Sequence, residues 1–232
     1  MTEEKVKRGL FLIGIVLVVL FLSSCEAVFT YSPLSFFQRD PANMSTAQKI
    51  SYAEEALSSG NKEAMAKAYN SIKDLAAKNP KDVELNMLAA KLAVELSGVP
   101  DVINEIVQGK IDLSGSDGGK QIADFLAGGG VDPSLMIEAS TYYINAEDNG
   151  AELSSTDYIM GAMGILLDAA NDISPDYSSI SDPNEWSGNS SVQAKVKEAT
   201  DFLDKGLAGL SDDDPAKEVL QQFSNFIGSY AS

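Results

Sequence analysis

The sequence predicts an all-α fold of about eight or nine helices, arranged as antiparallel hairpins behind a cleaved N-terminal signal. Three observations carry this. From Ser45 onward, apolar residues recur three and four positions apart. Helix-start residues (Ser, Asn, Asp, Asp-Pro) alternate with Gly or Asn stops along the chain. No stretch shows the alternation of a half-buried strand. At 232 residues, 44% of them hydrophobic, the chain is long enough to bury a substantial core.

The first segment is an export signal. Lys5, Lys7 and Arg8 precede an apolar run from Gly9 to Leu22, closed by Leu22-Ser23-Ser24-Cys25; a basic region, an apolar region and a small-residue exit follow one another in the order of a signal peptide. The run of roughly 14 residues is short of the roughly 18–20 that span a bilayer as a helix. Leu22, Ser23, Ser24 and Cys25 resemble the bacterial lipobox, a branched apolar residue and two small ones before an invariant cysteine. The resemblance implies cleavage before Cys25, acylation of its thiol (palmitate among the chains) and anchoring to a membrane. Glu26 follows the cysteine, whereas Asp there resembles the retention signal of some inner-membrane lipoproteins. The sorting rule therefore implies the outer membrane, facing the periplasm. Three segments result: a signal peptide at 1–24, a lipidated tether at 25–44 and an all-α domain at 45–232.

Composition then excludes several classes of function. Cys25 is the only cysteine and histidine is absent, so the fold has no disulfides and lacks the commonest metal ligand and the commonest neutral-pH general base. Formal net charge is −17, with no Lys or Arg from Gln121 to Ala194; such a surface repels nucleic acid and anionic headgroups. Neighbouring acids such as Glu54 and Glu55, or Asp212 to Asp214, read as solvated faces and caps, because a catalytic carboxylate pair must converge across a cleft. The chain is not expected to be an enzyme, and no catalytic residue, metal or cofactor is assigned.

Beyond the tether, with Phe29, Tyr31, Phe36 and Phe37 between prolines, the helices come in order. Ser45 with Gln48 has the form of a capping box, and Ile50, Ala53, Ala56 and Leu57 follow to Gly60. Asn61 caps a second helix with Met65, Ala68, Tyr69, Ile72 and Leu75 on one stripe; the short Ser-Gly-Asn connection makes the two a helical hairpin. Asn79-Pro80-Lys81-Asp82 stops that helix, with Pro80 suited to the first turn of the next and Asp82 to its N-terminal end. Val83 to Leu96 is apolar on two sides, Leu85, Leu88, Leu92 and Leu96 on one, Met87, Ala90 and Val94 on the other, and is expected to be central. Gly98 ends it.

Leu57-Ser58-Ser59-Gly60-Asn61, the small and large apolar pairs such as Ala64, Ala68 and Tyr69, and Asn79-Pro80 resemble tetratricopeptide-type helical repeats. That family stacks hairpins of roughly 34 residues into a superhelix that receives protein partners. The resemblance covers about Ser45 to Gly98 and implies a stacked, TPR-like arrangement.

A short helix through Val102, Ile103, Ile106 and Val107 leads to a polar connector, Gly109 to Gly119. The connector is neither a P-loop, since Ser114 and Gln121 stand where Gly and Ser/Thr are needed, nor an EF-hand loop, since Asp117 and Ala123 replace its Gly and Glu. Lys120 to Ala127 supplies two helical turns before Gly128-Gly129-Gly130. Asp132-Pro133 then starts a helix carrying Met136, Ala139, Tyr143 and Ala146 to Asn149-Gly150. Ser154 or Ser155 opens the next, striped with Ile159, Ala162, Met163, Leu166, Leu167, Ala170 and Ile173, with Gly161 and Gly164 admitting a close neighbour. A long polar break, Ser174 to Ser191, holds Tyr177 and Trp186. Val192, Val196, Ala199, Leu203, Leu207 and Leu210 mark the following helix, and Asp214-Pro215 begins a last one.

Two functional readings follow. In the first, the chain is a lipid-anchored scaffold for an envelope protein partner, with Trp186 and Tyr177 as contacts. In the second, it is a ligand-binding accessory of a transport system, the glycine-containing helix lining a small-molecule pocket with Tyr142, Tyr143 and Tyr158.

Overall fold

A computed structural model of the chain describes residues 40–101, 130–175, 186, 188–214, 217, 220, 221 and 224. The chain divides into two units, Met1–Asp40 and Pro41–Ser232; the description below is of the second. The signal, the lipobox residues Leu22, Ser23, Ser24 and Cys25, the 102–107 helix, the 109–119 connector, the 120–127 segment and Tyr177 lie outside the described residues.

All regular structure among the described residues is helical. A 3-10 turn at Pro41–Asn43 is followed by α1 (Thr46–Ser59), α2 (Lys62–Lys78), α3 (Val83–Ser97), α4 (Pro133–Asp148), α5 (Ser155–Ile173) and α6 (Ser190–Ala208). This is six α-helices and one short turn, against the eight or nine expected. Of the others expected, residues 102–107 and 120–127 lie outside the description, with helical Val99, Pro100 and Asp101 just ahead of the first, and helical residues Lys217, Leu220, Gln221 and Ser224 stand where the last was placed.

Side chains set the helix starts. Ser45 accepts from the Gln48 amide at 3.4 Å while Gln48 Oε1 accepts from the Ser45 amide at 3.0 Å, completing a capping box. Asn61 accepts from the Ala64 amide at 3.0 Å, Asp82 from the Leu85 amide at 3.1 Å, and Asp132 from the Ser134 and Leu135 amides at 3.0 and 3.3 Å. Each satisfies amides that have no partner inside the helix. Pro133 occupies the first turn of α4. Pro80 does not do the same for α3, which begins at Val83. Its carbonyl instead accepts from Asn86 Nδ2 at 3.0 Å, and Asp82 O accepts from the same group at 2.7 Å, so the buried Asn86 amide holds the turn.

Packing follows chain order. α1 packs on α2, both pack on α3, and then α3 on α4, α4 on α5 and α5 on α6. The turn at Pro41–Asn43 rests on α2, with Pro41 buried. α3 is central, as its two-sided apolar pattern requires: Leu85, Leu88, Ala89, Ala90, Leu92, Ala93 and Val94 are all buried. α5 is buried over a wider arc than its expected stripe. Met160, Ile165 and Ala169 are buried, whereas Met163, Leu167 and Ile173 are half-buried, because α5 lies between α4 and α6 and covers two neighbours at once.

The α3–α4 junction is closed at its neck. The Asp132 amide donates to Ser97 O at 2.7 Å, Ser97 Oγ donates to Val94 O and accepts from the Val99 amide, and Val99 and Val131 are buried. Gly98 caps α3 with φ 79° and its Cα faces the Gly130 carbonyl. Both the left-handed conformation and the lack of space require glycine.

Candidate functional site

The chain between Gln121 and Ala194 has no basic residue, yet α4 and α5 carry Glu138, Glu147, Asp168 and Asp172 close to their neighbours. Each is met by a lysine from a flanking helix. On the α2 side, Lys73 Nζ donates to Glu138 Oε1 and Oε2 at 2.7 and 2.6 Å, and the Tyr69 hydroxyl donates to the same carboxylate. On the α6 side, Lys195 Nζ lies 2.7 Å from both Asp168 and Asp172, and Lys205 Nζ donates to Glu147 Oε1 at 2.5 Å. Three lysines thus offset part of the negative charge of the acidic helix pair, one from α2 and two from α6.

The α2–α4 seam is the densest of these clusters, and Tyr142 lies close enough to feel the charges of Glu138 and Lys73. Burial raises the Glu138 pKa, but the hydrogen bonds from Lys73 and Tyr69 outweigh it and hold the carboxyl below its ordinary value. Lys73 is pushed up by its hydrogen bond to Glu138. Burial, then the Glu138 hydrogen bond, drives the Tyr69 hydroxyl far up, and burial raises Tyr142 as well. At neutral pH the ion pair is fully charged and both phenols are protonated. The seam is suited to hydrogen bonding and cohesion; neither phenol is poised to give up a proton.

Tyr143 faces elsewhere, as adjacent residues on a helix must, roughly 100° apart. It is 1% exposed, and its hydroxyl donates to Asp157 Oδ1 at 3.1 Å. Asp157 Oδ2 accepts from the Ser154 hydroxyl at 2.7 Å and from the Ser154 amide at 3.1 Å, and the Asp157 amide donates to Ser154 Oγ at 3.2 Å, so the α5 capping box is also the tyrosine's anchor. Burial first, then the Asp157 charge, pushes the Tyr143 pKa strongly up. Tyr158 is in a third place. Its hydroxyl donates to Glu147 Oε1 at 2.9 Å, its ring meets Phe202 edge-on at 5.5 Å, and Lys205 Nζ sits 5.5 Å from the Tyr158 centroid and 5.4 Å from that of Phe202.

The three tyrosines expected around one pocket therefore occupy three environments. The glycines of α5 are also filled from outside: a Cβ at Gly161 would meet the Phe202 ring at 2.9 and 3.0 Å, and one at Gly164 would run into the Met136 carbonyl and stand 2.7 Å from Ser140 Cβ. They let helices approach. Trp186 is half-buried just ahead of α6. Tyr69, Lys73, Glu138, Lys195, Lys205 and Phe202 were not singled out by sequence reasoning as site residues; the long lysine-free acidic stretch was the one signal that basic partners must come from elsewhere.

Among the described residues, no group of three or more His, Cys, Asp or Glu side chains is placed to hold a metal ion, and no helix is long and apolar enough to cross a membrane. No protein family, curated protein or solved structure matches the chain.

Proposed function

We propose that the chain is a lipid-anchored lipoprotein of the cell envelope, held at the outer membrane and facing the periplasm, whose stacked helices serve as a scaffold for another envelope protein. The Leu22-Ser23-Ser24-Cys25 exit behind a basic and apolar leader carries the reading. The chain-order packing of α1 to α6 supports it, because helices stacked one on the next in a row are the arrangement of helical-repeat scaffolds. The half-buried Trp186 and the acidic surface are suited to contact with a protein rather than a nucleic acid.

The test has two stages. Cells expressing the tagged chain are fed an alkyne-bearing fatty acid; label is expected on the parent and not on Cys25→Ala, and label on both, or on neither, overturns the anchor. The lipidated chain is then crosslinked in cells and its adducts identified by mass spectrometry. A recurrent envelope protein that is lost with Cys25→Ala is the expected result. A folded, abundant, lipidated chain that yields no protein adduct overturns the scaffold.

A further inference from the structure

We draw no further inference here: the strongest candidate, the Tyr69, Lys73, Glu138 and Tyr142 cluster along the α2–α4 seam, bonds within itself and belongs to the site already described, and nothing in the structure shows what covers it.

Discussion

Gly164→Ala sets two effects of opposite sign against each other. In an exposed helix the change gains about 1 kcal/mol of helix propensity. At this position the added methyl meets the Met136 backbone carbonyl and lies 2.7 Å from Ser140 Cβ and 3.1 Å from the Met136 carbonyl carbon. Carbon atoms pack best at about 3.5–4.0 Å, so α4 and α5 must separate by about 1 Å, and a backbone carbonyl cannot rotate away. Overpacking typically costs about 1–3 kcal/mol; at the upper end, less the propensity gain, the net loss is about 2 kcal/mol. For a unit of this size that lowers Tm by about 4–8 °C, and with a urea m value of about 2 kcal/mol/M it moves the midpoint down by about 1 M. Urea unfolding followed by circular dichroism at 222 nm measures it. Gly161→Ala is the internal comparison, because it meets the Phe202 ring, which can turn aside, and its loss is smaller. A Gly164→Ala protein as stable as its parent, or more so, refutes the close approach of α4 and α5.

Four further outcomes are expected. Tyr143→Phe removes the buried hydrogen bond to Asp157 and lowers stability by about 1–2 kcal/mol with an unchanged helical spectrum; a neutral result contradicts that bond. Glu138→Gln costs about 0.5–1 kcal/mol at pH 7, the range for a part-exposed ion pair. Because Glu138 titrates below its usual value when folded, its contribution is present at neutral pH and lost as pH falls through the folded value; the parent and Glu138→Gln midpoints should converge once the pH falls below the ordinary carboxylate range. Lys195→Met leaves Asp168 and Asp172 facing each other without a cation, so its destabilisation should be larger at low than at high salt; equal losses at both ends of a NaCl series contradict the pairing. Gly98→Ala strains a φ of 79° and collides with the Gly130 carbonyl, which should cost more than about 1 kcal/mol in the same urea assay.

Five of the six helix starts were legible because capping is local: Ser45, Asn61, Asp82, Asp132 and Ser154 act on amides two or three residues ahead, whereas α6 starts at Ser190 under an Asn189 cap, inside the stretch read as a polar break. The centrality of α3 was legible too, from apolar residues on two of its sides. α5 was harder, since a single stripe suits a helix with one neighbour, and this one has α4 and α6 against different faces. The separation of Tyr142 from Tyr143 follows from helix geometry alone and could have been drawn from their adjacency. Lys73 with Glu138, 65 residues apart, and Lys205 with Glu147, 58 apart, depend on how helices stack, which no local pattern records. Phe202 hid beside Leu203, because nothing local says which of two adjacent apolar residues meets Gly161 and Tyr158 on α5.

The bond between the Asp132 amide and Ser97 O fixes the gap from α3 to α4 whatever chain runs between them. Pinning two positions of any chain together closes a ring, and the entropy of closing a flexible ring grows only with the logarithm of its length. Extending such a ring from about 8 to about 30 residues costs only about 1 kcal/mol more. The register of α4 on α3 is therefore held at Ser97 and Asp132 themselves, and a change in the length of chain between them acts on it only through this weak logarithmic term.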